Sequence, residues 1–290
     1  MPQASATTSH NASWICPVCK QPLVWQLTAW RCDKQHSFDR AKEGYVNLLK
    51  VQDKNSKDPG DNKDMVMARR AFLEQDHYLP LATKVADLLQ DCCSQSEHDI
   101  PLSLFDAGCG EGYYLAKIKQ QLALNGLTVN ACGSDISKSA MQKAAKKHPD
   151  IQYAVASSFN LPLANHSQDV LIQVFAPSSA AEIQRVLKDK GWWLSVTPAP
   201  EHLFELKQQV YDQAQKHETT STVPEGFSLV SQTRLSFEMH LSTLEQRQNL
   251  LMMTPFYWTV SEEKKQLLLG NLEFVSTDFD IKVMQKKVEG

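Results

Sequence analysis

The feature that most constrains this chain is the run Leu104-Phe105-Asp106-Ala107-Gly108-Cys109-Gly110-Glu111-Gly112, an apolar stretch that ends in Asp and three glycines spaced two apart. A short continuous apolar run reads as a strand buried on both faces, and the residues after Gly112 read as a helix. Glycines at such a strand-to-helix turn let the backbone come close to a ligand and supply positive φ where the turn needs it. The context is that of a nucleotide-binding turn. A dinucleotide fingerprint, G-x-G-x-x-G, would want Gly or Ala at position 113, where the chain has Tyr113.

D-x-G-x-G-x-G instead resembles the first motif of class I methyltransferases, whose ligand carries a methionine moiety and no phosphate. The surrounding pattern agrees. Short apolar segments (PLSLFDAG, TVNACGSD, IQYAVASS, QDVLIQVFA, GWWLSVTP) alternate with helical stretches at 113–124, 138–148 and 179–187. Such alternation predicts right-handed βαβ units and an α/β, Rossmann-like fold with a mainly parallel sheet. Helices are also expected at 64–75, 79–89 and 244–253, with strands at GFSLVSQTRLSFEMHL and near 274–284. Asp135 ends the second apolar strand, where a carboxylate can accept from both ribose hydroxyls. Its structural alternative is a helix N-terminal carboxylate beside Ser137. By the methyltransferase analogy Asp106 and Glu111 lie near the methionine end, and Ser157 and Ser158 near the adenine. Phe175-Ala176-Pro177 occupies the place of an acceptor-facing loop, or is a plain strand-to-helix turn. His202 follows the fifth strand and, on spacing alone, carries no role.

Upstream, Cys16, Cys19, Cys32 and His36 form C-x2-C-x12-C-x3-H. Two thiolates two residues apart can grip one ion from a tight knuckle, and a second Cys/His pair closes a tetrahedron. Four protein ligands leave no open position, so the expected site is a structural zinc. Residues 14–50, rich in Cys, Trp and Pro, therefore read as a small metal-held domain, preceded by a polar tail at 1–13 expected to be disordered. Residues 51–100 read as linker and helices, and 101–290 as the methyltransferase domain. The other four of the seven cysteines have no ligand-like spacing, so reduced thiols are expected. Neither a signal peptide nor a spanning segment is recognisable, and a cytoplasmic location is expected.

The net charge of −3 predicts no polyanion partner by itself, but residues 1–70 hold 11 Lys/Arg against 7 Asp/Glu. Any nucleic-acid contact is thus placed at the N-terminal end, among Lys20, Trp25, Arg31, Lys34, Arg40 and Lys42.

Taken together, CPVC, CDKQHSFDRAKEGYVNLL, DPGD, ARRAFL, HY, FDAGCGEGYY, ASSFNLP, TPAPEHLFELK and MTPFYW resemble the bacterial 23S rRNA (guanine-N1)-methyltransferase family from about residue 13 to the C-terminus. The resemblance implies Cys16, Cys19, Cys32 and His36 as zinc ligands. It implies Tyr78, Gly110, Glu111 and His202 as contacts of S-adenosylmethionine, to which the motif reading adds Asp106, Gly108, Gly112, Asp135 and Ser158. It further implies an rRNA hairpin as partner, guanine N1 as acceptor and a homodimer, with no DNA or membrane partner. No general base is assigned. The rivals are a zinc-ribbon ribosome-assembly factor with an inactive methyltransferase fold, and a methyltransferase of another substrate.

Overall fold

The computed structural model describes residues 13–50, 52, 60–93, 101–211, 213–218 and 222–288. The expected tail before Ser13 and nearly all of 51–59 lie outside these residues.

An eight-stranded sheet organises the chain. Its strands are β4 (Val46–Asn47), β5 (Leu102–Ala107), β6 (Val129–Asp135), β7 (Gln152–Val155), β8 (Gln168–Val174), β9 (Leu187–Pro198), β10 (Phe227–His240) and β11 (Phe274–Lys286), in the spatial order β10-β11-β9-β8-β5-β6-β7-β4. Pairing is parallel from β4 through β9, and antiparallel for β11 against β9 and β10 against β11. β5 is buried along nearly its whole length, as expected of a central parallel strand covered on both faces. Between β6 and β8 the strand order reverses around β5, and that switch point opens a crevice beyond the carboxyl ends of the strands.

Helices cover the sheet: α1 (Lys63–Leu73), α2 (Leu79–Cys93), α3 (Tyr113–Leu124), α4 (Lys138–Lys147), α5 (Ala180–Val186), α6 (Phe204–Val210), α7 (Leu244–Met252) and α8 (Glu262–Asn271). Local chemistry sets their starts. Asn62, Ser137, Ser179 and Ser261 cap α1, α4, α5 and α8, and Thr243 and Gln246 form a capping box on α7. α2 buries Leu81, Val85, Ala86 and Leu89, one stripe at helical spacing. No described helix is long and apolar enough to cross a membrane.

Three short strands, β1 (Val24–Gln26), β2 (Ala29–Arg31) and β3 (Ser37–Asp39), make a separate antiparallel sheet in the Cys-rich segment. This segment shares its core with the large sheet. Trp14, 1 % exposed, packs edge-on against Phe105 of β5 with centroids 6.3 Å apart, and Ile15 N–H donates to the Pro162 carbonyl at 2.9 Å. On its other side, β4 extends the large sheet beside β7.

Candidate active site and metal centre

Two turns of similar build hold the metal cluster. In the first, Lys20 N–H donates to the Cys16 carbonyl at 2.8 Å; in the second, Gln35 N–H donates to the Cys32 carbonyl at 2.9 Å. Lys20 and Gln35 both have positive φ, 62° and 63°, which turns each chain back on its cysteine. The four ligand atoms lie within 4.8 Å of one another. Cys16 Sγ and Cys32 Sγ stand 3.5 and 3.4 Å from His36 Nδ1, and Cys19 Sγ is 3.6 Å from Cys32 Sγ. A tetrahedron with Zn–S near 2.3 Å and Zn–N near 2.0 Å has edges of roughly 3.5 to 3.8 Å. The donor set and its spacing therefore fit zinc, held through Nδ1 of the histidine and with no position left for a substrate.

The second site is a cavity of about 610 Å³ at the switch point of the sheet. Its floor is the glycine loop after β5. Gly108, Gly110 and Gly112 all have positive φ, but they answer different needs. A Cβ on Gly108 would stand 2.3 Å from Ala176 Cβ and one on Gly112 would stand 2.5 Å from Tyr153 Oη, whereas a Cβ on Gly110 would meet nothing within 4 Å. Gly110 is thus the glycine whose bare backbone faces open space. Its N–H donates to Asp135 Oδ2 at 3.0 Å, and the other oxygen of Asp135 accepts from Ser137 N–H at 2.8 Å.

Carboxylates crowd this end. Burial raises Glu111, 5 % exposed, to about 7, with Arg69 opposing the shift. Burial, and then the charges of Asp135 and Glu111, push Asp106 well above the usual carboxylate range. Burial also raises Asp135, against its two backbone hydrogen bonds. Tyr78 lines the same cavity, and its buried hydroxyl has no partner among the described residues. Asp76, in the α1–α2 turn just before it, ties that turn to α3, accepting from Tyr113 Oη at 3.0 Å and pairing with Lys117 at 2.9 Å.

Another part of the lining is aromatic. Phe175, at φ 55°, stacks on His202 with centroids 5.6 Å apart and 23° between planes. A β-region backbone would be the ordinary choice for Phe, so this residue holds a strained turn at the cavity rim. His202 Nδ1 accepts from Asp278 N–H at 3.3 Å, which leaves the ring proton on Nε2, and burial lowers the ring to about 3. It is a neutral donor. Asp278 in turn accepts from Arg234 (2.7 and 2.6 Å), Ser236 (2.5 Å) and Glu201 N–H (2.9 Å). Ser158 Oγ donates to the Pro177 carbonyl at 2.6 Å, tying the loop after β7 to the loop after β8.

Of the residues singled out from sequence, Tyr78, Gly108, Gly110, Glu111, Asp135, Ser158 and His202 line this one cavity. Asp106 and Gly112 lie beneath it, the first under the loop and the second against Tyr153. The sequence reading did not single out Gly60, Asp61, Arg69, Phe256 or His217, which also line the cavity, nor Asp278, which orients His202. The motifs DPGD, ARRAFL and MTPFYW had carried the first four without a stated role.

A cavity at this switch point, with an uncharged glycine floor, flanking carboxylates and an unpartnered buried tyrosine, fits S-adenosylmethionine: the carboxylates suit its cationic centres and ribose, and nothing on the floor demands a phosphate. Fold and sites together have the build of the class I S-adenosylmethionine-dependent methyltransferases, joined to a zinc ribbon. A zinc-ribbon family described as the N-terminal part of RlmA matches residues 14–57, and a methyltransferase-domain family matches residues 104–191. The chain belongs to the 23S rRNA (guanine-N1)-methyltransferase family: it is 37% identical over 205 residues, 66% of this chain and 67% of the other, to a candidate member from Micromonospora griseorubida. It is also 37% identical over 193 residues to the 23S rRNA (guanine(748)-N(1))-methyltransferase of Streptomyces fradiae, covering 66% of this chain and 65% of that protein, slightly under two thirds of its length. A candidate 23S rRNA (guanine-N(1)-)-methyltransferase of Bacillus subtilis (strain 168) is 29% identical over 275 residues, 92% and 94% of the two chains.

Proposed function

We propose that this protein transfers the methyl group of S-adenosylmethionine to N1 of a guanine in a hairpin loop of 23S rRNA, working as a homodimer in the cytoplasm. The observation that carries the reading is the cavity itself, which brings carboxylates and bare glycine backbone together with the Phe175–His202 stack, while the zinc ribbon bonds to the loop beside it. Lys20 of the first zinc turn donates to Asn160 at 2.8 Å, beside cavity residues Ser158 and Phe159. An RNA held by the basic and aromatic residues of the ribbon (Lys20, Trp25, Arg31, Lys34, Arg40, Lys42) would therefore arrive next to the opening. In this reading residues 14–50 serve RNA recognition and 101–290 methyl transfer.

The sulfonium cofactor supplies an already electrophilic methyl group. The chain's task is to align acceptor and donor and to exclude water. Guanine N1 lies on the pairing edge, so the base has to be unpaired, and single-stranded bases are recognised by stacking on aromatic rings. Phe159, exposed at the rim, and Phe175 offer such rings. As N1 loses its proton, negative charge builds on O6, where the His202 Nε2 proton is suited to donate. With its proton on Nε2, His202 is not the base. The test is transfer of a labelled methyl group from cofactor to RNA, protein and small-molecule fractions. Label in RNA alone supports the reading; label in protein or small molecules, or in none, rejects it. Sedimentation of the purified chain tests the dimer.

A further inference from the structure

The cavity lining holds a cation that has no part in the mechanism above. Among the described residues that line it, the carboxylates are Asp61, Glu111 and Asp135, while Arg69 alone of them is a lysine or arginine. S-adenosylmethionine, on the reading proposed above, brings two cationic centres and one carboxylate. The first two match the acidic wall. The carboxylate of the methionine moiety would meet only repulsion there, unless a cation compensates it.

Arg69 is built for that. It sits on α1, with its side chain 32 % exposed, and is held from two sides: one terminal nitrogen pairs with the Asp61 carboxylate, and the other donates to the Met253 carbonyl at 3.2 Å. Those contacts use two of the five N–H donors that a guanidinium carries, and leave three for a second acceptor. Asp61 is fixed in turn, because its carbonyl accepts from Ser137 Oγ at 3.0 Å. The charge of Arg69 is felt by Glu111, Tyr78, Tyr114 and Asp135, all around the glycine-loop end. By the methyltransferase analogy this is the methionine end.

We propose that Arg69 binds the carboxylate of the cofactor's methionine moiety, with Asp61 and the Met253 carbonyl orienting its guanidinium. The assignment rests on the S-adenosylmethionine reading of the cavity, and the test separates the two. Binding of S-adenosylhomocysteine and of its decarboxylated analogue, which differ by the carboxylate alone, is measured by calorimetry on the full chain, on Arg69→Met and on Arg69→Lys. The wild type is expected to prefer the carboxylate-bearing ligand by roughly 10- to 100-fold, the range of charge-assisted hydrogen bonds. Arg69→Met should abolish that preference while keeping the affinity for the decarboxylated ligand within about threefold, and Arg69→Lys should keep part of it. Because the preference is a ratio within one protein, loss of folded material does not move it, and should the Met variant fail to fold, a reduced ratio in Arg69→Lys carries the same support. An unchanged ratio in the variants overturns the proposal, as does an equal loss for both ligands, which would make Arg69 a structural bridge. Failure of the wild type to bind either ligand would reject the cofactor reading itself, and this assignment with it.

Discussion

The zinc knuckle and the glycine loop are both tight turns, yet they are held by opposite means. In the knuckle, residues 20 amino acids apart converge on one point through side chains, and the three-stranded sheet around them buries little: Val24 and Leu27 are exposed, and Trp30 is one of its few buried large side chains. The loop after β5 carries its order in the backbone. Its strand lies in the main core, its glycines take positive φ, and Asp135 and Ala176 press against it. Removing one atom of metal should therefore undo the first, whereas adding one methyl group should undo the second.

Metal removal gives the largest contrast. Structural zinc contributes on the order of 10 kcal/mol to the order of a small module. Chelation, or Cys32→Ser, is expected to abolish hydrogen-exchange protection across 15–39 while 102–107 stays protected. Collapse of both regions together would show that the shared core around Trp14 makes them one cooperative unit. Next come the glycines. Gly108→Ala combines left-handed strain of about 1–2 kcal/mol with overpacking of about 1–3 against Ala176, so a loss of about 2–5 kcal/mol is expected in urea unfolding. Gly110→Ala should cost about 1–2 kcal/mol, the strain alone. Equal losses would refute the assignment of different tasks to the two glycines.

Glu111 sharpens the comparison through pH. Its value in the folded chain, about 7, stands above the ordinary carboxylate value of 4.5, so the native state binds more protons than the unfolded state between these values. The stability associated with Glu111 is therefore highest at low pH and falls as pH rises through the window from 4.5 to about 7. Glu111→Gln should leave stability near unchanged at the acidic end and raise it by about 2–3 kcal/mol at pH 8. A pH-independent effect would contradict the buried, uncompensated carboxylate. The smallest expected effect is a rescue: Tyr153→Phe removes the oxygen that a Cβ at position 112 would strike, and should return about 1 kcal/mol to Gly112→Ala in a double-mutant cycle.

Much of this architecture was legible in the sequence, for local reasons. The α3 bounds, the alternation of strands and helices from β5 to β9, and the closeness of the four zinc-ligand candidates follow from periodicity and spacing. The expected helices at 64–75 and 79–89 appear as Lys63–Leu73 and Leu79–Cys93, since caps and last turns set the ends. β4 was not legible because two residues have no period, and their pairing with β7 joins positions about a hundred residues apart. α8 was missed because its apolar residues form no stripe and only Leu268 is buried. Arg69 and Asp278 enter the site only through tertiary folding, the first through Asp61 and Met253 and the second by bonding to a turn 77 residues upstream.

The most direct measurement of the central claim is nucleoside mass spectrometry of 23S rRNA from cells lacking the gene, before and after incubation with the purified protein and S-adenosylmethionine. The account predicts that 1-methylguanosine is diminished in the deleted strain and restored by the protein. An unchanged level of 1-methylguanosine in both samples would contradict it.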